Sequence, residues 1–197
     1  MPTKFSSAAG LLCLVLAAAG CVSTSSQAAD ETVDPRVFVT AYTWYDNTPA
    51  GSHAISHPVL HGEAGGTGTY EDPVTLAVGH SKETGEDVLD IPAGTRIYLP
   101  DVRRYFMVED TCGDGPAPEN GPCHIGADEH GGDSLWIDMW IGGMGESASF
   151  VRTCTRTVTG VFAAVFNPAD NYVVAPGSGV IHDGQCDSGY GNDLVVK

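Results

Sequence analysis

Two stretches each hold one aspartate among residues suited to burial: Asp110 in Arg104 to Cys112 (RYFMVEDTC) and Asp138 in Ser134 to Ile141 (SLWIDMWI). A carboxylate beside apolar walls is costly unless it is paired or used, so this pair is where chemistry is expected. Asp138, between Trp136, Ile137, Met139 and Trp140, is placed to have its pKa raised and to hold a proton near neutrality. Asp110, beside Glu109, would raise it further by like-charge repulsion. Such an acid can protonate a glycosidic oxygen, and an inverting hydrolase needs a second carboxylate about 6.5–9.5 Å away to activate water. Asp46, in Tyr45-Asp46-Asn47, is the candidate for that base. Against these assignments stands the ordinary use of strand-end aspartates as turn caps, which applies most strongly to Asp110.

The elements that must position these acids read as strands. Apolar and aromatic runs recur at Val37–Trp44, Val74–Val78, Thr95–Leu99, Tyr105–Val108, Leu135–Ile141, Thr155–Val158 and Tyr172–Val174, separated by glycine and proline turns. Many short strands in one chain of this length predict an all-β barrel or sandwich. Gly145–Cys154 carries a short helical spacing, weakened by Ser and Thr. Tyr42, Trp44 and Tyr45 alternate along the first run, so one face packs in the core and the other is available to stack on sugar rings.

Residues 1–21 read as an export signal: Lys4 is followed by an apolar run, Ala8 to Ala19, that is too short to span a bilayer. Ala18, Ala19 and Gly20 before Cys21 resemble a bacterial lipobox, which makes Cys21 a candidate lipidation site, while cleavage near Ala28 is the alternative. A polar linker, 22–32, precedes one domain, 33–197. Cys112, Cys123, Cys154 and Cys186 remain in that domain, an even set that predicts two disulfides. Of three connectivities, proximity favours Cys112–Cys123 and Cys154–Cys186. The expected location is outside the cytoplasm, secreted or lipid-anchored, with contact to membrane only through such an anchor.

Lys and Arg total 9 against 25 Asp and Glu, a net charge of −16. That field disfavours nucleic acid and anionic membranes as partners and tilts a glycan partner towards a neutral one. No cofactor or metal is expected. The cysteines lack CxxC spacing, and Pro58 breaks any helical face shared by His57 and His61, so His53, His57 and His61 are assigned to loop and groove lining. The glycines of Ala64–Tyr70 (AGGTGTY) are read as sites of positive φ or close backbone approach rather than a phosphate cradle. The acidic 113–133 loop, with Asp114, Glu119, Asp128, Glu129 and Asp133, departs from the EF-hand pattern and is read as a solvated loop stapled by Cys112 and Cys123.

The order PAGTRIYL (Pro92–Leu99), RYFMVEDTC, LWIDMWIGG, Cys154 and then Gly184-Gln185-Cys186 resembles the double-psi β-barrel proteins: expansins, rare lipoprotein A, family 45 endoglucanases and the "3D" lytic transglycosylases. The likeness is nearest to secreted expansin-like proteins and runs from about Thr40 to Cys186. It implies a six-stranded double-psi β-barrel with long loops and at most one or two short helices, and a groove where a glycan lies along aromatic side chains. By this resemblance Asp138 matches the proton donor and Asp110 the second aspartate of the 3D pattern, whose first aspartate corresponds to Asp90. Tyr42, Trp44, Tyr45, Trp136 and Trp140 are the implied sugar-contacting aromatics. The expectation is a monomeric, exported, expansin-like protein that binds and loosens or cleaves a neutral glucan or peptidoglycan, as a glycoside hydrolase or lytic transglycosylase if it is an enzyme. The alternative is a non-catalytic binding or protease-inhibitor module on the same barrel.

Overall fold

A computed structural model describes Met1 and residues 30–113, 115–133 and 135–197. The proposed signal and Cys21, like Asp114, lie outside the described residues. Ten strands follow in chain order: β1 (Thr32–Tyr42), β2 (Val74–Val78), β3 (His80–Ser81), β4 (Val88–Leu89), β5 (Arg96–Leu99), β6 (Arg104–Thr111), β7 (Trp136–Trp140), β8 (Gly160–Phe166), β9 (Ile181–His182) and β10 (Gln185–Cys186). Two α-helices, α1 (Pro122–Ile125) and α2 (Ala148–Val158), are interposed before β7 and β8.

Six strands close into a barrel in the order β1-β7-β2-β6-β5-β8, so the expected all-β, six-stranded barrel is formed. The pairs β1/β7 and β2/β6 run parallel and the other four contacts are antiparallel. Closure leaves no free edge in this sheet. Its interior is filled by Val37, Val39, Leu76, Val78, Ile97, Leu99, Phe106, Val108, Ile137 and Met139, one set of alternate side chains from nearly every strand. A smaller outer cluster of Tyr98, Tyr105, Val165 and Tyr172 covers the far side of β5, β6 and β8. Burial on both faces is why β6 carries the unbroken apolar run Tyr105–Val108.

Two strand assignments from sequence are corrected. Thr155–Val158 is the last turn of α2, not a strand. Ser147 caps the helix by accepting a hydrogen bond from the Phe150 amide, and Thr153 and Thr157 donate their hydroxyls to the carbonyls four residues back, which reconciles β-branched residues with helix. Val151, Cys154 and Val158 form its buried face. The strand after it, Gly160–Phe166 (GVFAAVF), is absent from the runs read as strands in the sequence. Tyr172–Val174 forms no named strand, only an isolated bridge from Tyr172 to Val196.

Both expected disulfides form, Cys112–Cys123 and Cys154–Cys186. The second ties α2 to the C-terminal segment. That segment is further held by Arg104, wholly buried, whose guanidinium donates to the carbonyls of Ala175, Pro176 and Gly179 and to Asp187. Two disulfides are compatible with an extracellular protein.

Candidate functional site

Sheet register brings the two predicted acids together. Thr40 on β1 is level with Asp138 on β7, Asp138 with Ala77 on β2, and Ala77 with Asp110 on β6. Residues level with one another share a face of the sheet, so Thr40, Asp138, Ala77 and Asp110 form one row across four neighbouring strands. Ala77 contributes only a methyl, and the space above it is a cleft of about 300 Å³.

The row depends on a β-bulge. Leu76 is paired with Val108, but Ala77 is paired with Asp110, so Glu109 is an extra residue on β6. Strict alternation from Val108 would turn Asp110 towards the barrel interior with Leu76; the inserted residue resets the period and aims Asp110 at the cleft. Glu109 goes elsewhere. Its carbonyl accepts from His57 N, and its side chain, with no exposed surface, lies under the 57–61 loop.

Asp138 sits half-buried on the floor. Thr40 Oγ1 donates to its Oδ1 at 2.6 Å, while Trp136 Nε1 donates to Thr40 Oγ1 at 2.8 Å. The indole therefore commits the threonine hydrogen to Asp138. Desolvation pushes the Asp138 pKa up to about 7; the Thr40 hydrogen bond opposes this, and the charges of Asp46 and Asp110 add to it. Since Thr40 serves Oδ1, the acid's own proton belongs on Oδ2. No buried polar side-chain atom among the described residues lacks a hydrogen-bond partner, and Oδ2 has none among those residues, so Oδ2 opens on the cleft.

Asp110 has a different character. Tyr42 OH donates to Oδ2 at 3.0 Å, and Ser56 N, Ser56 Oγ and Thr111 N donate to Oδ1 at 2.9–3.0 Å. With four donors on two oxygens, it anchors the 53–61 loop and orients Tyr42, whose own pKa is raised well above 10, first by burial and then by Asp110. Asp46 is an exposed turn residue at the cleft rim, its Oδ1 accepting from Thr43 N and Thr43 Oγ1 at 2.7 and 2.5 Å. Asp90 is not among the cleft-lining residues and pairs with His124 at 2.6 Å.

Of the five predicted sugar-contacting aromatics, only Tyr42 lines this cleft. Trp140 is buried behind it, edge-on to Tyr42 and His53, and Trp136 is edge-on to Phe38 and His130 while it holds Thr40. β1 ends at Tyr42, so the alternation does not reach Trp44 and Tyr45, which occupy the following turn and pack edge to face at 5.4 Å. Tyr45 lines a second cavity of about 220 Å³ against α2, and Asp46 lines both.

Sequence reasoning missed the cluster formed by Glu109. Its Oε1 accepts from the amides of Val59, Leu60 and His61, and its Oε2 meets His61 Nδ1 at 2.7 Å; His61 Nε2 meets Asp72 at 2.9 Å. Burial alone would lower the His61 pKa and raise those of both acids. The hydrogen bonds reverse each, leaving His61 raised and Glu109 and Asp72 lowered. A Glu directly after the apolar run Tyr105–Val108, with a His in the long loop before it, is the available signal. Among the described residues no group of three or more His, Cys, Asp or Glu side chains could hold a metal ion. Of the described acids in the 113–133 loop, Glu119 accepts from Lys82 N and Asp133 pairs with Arg36.

The fold and site define a closed six-stranded β-barrel with a protonatable acid on the floor of a surface cleft. Residues 34–187 match the model of the DDB_G0273701 N-terminal domain, and the chain belongs to that family. It is 33% identical over 104 residues to "Uncharacterized protein DDB_G0273701/DDB_G0273221" of Dictyostelium discoideum, an overlap covering 53% of this chain and 38% of that protein. The chain thus matches under two fifths of the relative's length. No solved structure gives a significant match.

Proposed function

We propose that the chain is an exported, expansin-like protein of the double-psi β-barrel kind that binds a cell-wall polysaccharide in the acid cleft and loosens or cleaves it, with Asp138 as proton donor. One observation carries this: Asp138 lines the cleft in one row with Ala77 and Asp110, where burial pushes its pKa up to about 7. At neutral pH such a group is both populated as the acid and strong enough to protonate a departing glycosidic oxygen. Asp110 is engaged by four donors and Asp46 by Thr43, which favours chemistry with one acid over hydrolysis with a separate water-activating base.

Reducing-end and fragment release from cellulose and from purified sacculi, wild type against Asp138→Asn and Asp46→Asn, tests the assignment. Release that is lost in Asp138→Asn and retained in Asp46→Asn is expected. Loss in both variants would assign Asp46 as a base and make the protein a hydrolase. The same lack of spare carboxylates supports a second reading, a non-catalytic binding module. Retained glycan binding with no release from either polymer selects it, and no binding to either polymer rejects both readings.

A further inference from the structure

We propose that the second cavity, between the turn after β1 and α2, is a sugar subsite continuous with the acid cleft, and that it takes a carboxylate-bearing sugar residue with Arg152 as the carboxylate's partner. This rests on the glycan reading above and narrows it from neutral glucans to a polymer that carries carboxylates.

The cavity is built by one face of α2. Ala148, Val151, Arg152 and Thr155 follow the i, i+3, i+4, i+7 spacing of a single helical stripe, and Thr43, Tyr45 and Asp46 form the opposite wall. Behind that stripe, Cys154 in its disulfide and buried Val158 fix the helix to the barrel. The space suits one sugar ring rather than a chain. Asp46 lines both cavities, so a polymer passing from Asp138 to Arg152 crosses it.

Each wall supplies a different contact. Tyr45 is exposed, yet its ring is held at both ends, edge-on to Trp44 and by its hydroxyl donating to the Glu146 carbonyl. A fixed, exposed ring is a platform for the apolar face of a sugar. The Asp46 carboxylate accepts sugar hydroxyls at the junction. Arg152 supplies the charge.

The other cations near acids or rings are already engaged: Arg36 with Asp133, Lys82 with Asp87, Arg104 with Asp187, and Arg96 and Arg103 over Tyr70 and Tyr190. The Arg152 side chain has no ion pair, hydrogen bond or ring partner among the described residues, in a chain with 25 acids. The Arg156 and Lys197 side chains also lack partners among the described residues but line neither cavity. An arginine that lines the cavity and that no internal carboxylate claims has the planar fork that carboxylates bind in bidentate fashion.

The test is equilibrium binding of peptide-stripped glycan strands from sacculi, whose lactyl carboxylates are free, against the same strands amidated and against cello-oligosaccharides. Wild type is expected to bind the carboxylate form at least about tenfold more tightly than the amidated form. Arg152→Ala should erase that difference with an unchanged melting temperature, Arg152→Lys should restore part of it, and Tyr45→Ala should weaken both forms alike. Equal binding of the two forms by wild type, or full carboxylate preference in Arg152→Ala, overturns the assignment. In that case release that still depends on Asp138 leaves the cleft reading standing, whereas no binding to any of the three ligands removes both.

Discussion

The decisive side chain is Asp138, and its proton is set by competition between burial and a single hydroxyl. Burial raises its pKa and the Thr40 hydrogen bond lowers it, so Thr40→Val should carry the titration midpoint, followed by carboxyl carbon NMR, above the wild-type value of about 7. A midpoint that stays put or falls would mean the hydroxyl does not govern the acid. The same shift has a consequence for stability. Between the unfolded value near 4 and the folded value near 7 the native state holds the extra proton, so stability falls as pH rises through that window, by an amount on the order of a few kcal/mol. Asp138→Asn should therefore lose less stability than wild type between pH 5 and pH 8 in denaturant melts. His61, whose pKa is raised, loses stabilisation in the same direction in both proteins and cancels from the comparison. Asp138 could be singled out from sequence because its apolar neighbours make an idle carboxylate expensive there. The Thr40–Trp136 relay could not, since it depends on which strand lies beside which.

Strand alternation made β2, β5, β6 and β7 readable, because each needs only a run of apolar residues between turns. It failed where chemistry local to the chain overrides pattern: threonine hydroxyls bonded to helix carbonyls in α2, and the bulge at Glu109. That bulge is the element on which the site turns, since it aims Asp110 at the cleft and Glu109 under the 57–61 loop. Three amides and His61 converge on Glu109, so Glu109→Gln removes the charge that holds them. It should cost on the order of 3 kcal/mol in denaturant melts. Hydrogen exchange at the Val59, Leu60 and His61 amides should accelerate well beyond that of the β1 amides. Uniform acceleration across the barrel would show instead that the loop is not a separately held element. Two glycines of the 64–70 loop, Gly66 and Gly68, behave as their sequence suggested: Gly66 has φ +99°, and a Cβ there would lie 2.0 Å from the Pro73 carbonyl oxygen.

Taken over the whole molecule, a net charge of −16 sets a repulsive field, while the proposed subsite asks one exposed arginine to hold a carboxylate. The two act over different distances. Repulsion between the acidic surface and an anionic strand is felt during approach and is screened beyond a Debye length of about 10 Å at 0.1 M salt. The Arg152 contact acts only once the strand is seated. Association with carboxylate-bearing strands should therefore speed up several-fold as salt rises from about 0.02 to 0.15 M, and association with cello-oligosaccharides should stay flat. Arg152→Ala changes the total by a single charge and should show the same acceleration, but the wild-type dissociation rate alone should rise with salt as the guanidinium contact weakens. Stopped-flow binding separates the two rates. Association that slows with salt would mean that a local positive field around α2 outweighs the acidic surface even during approach.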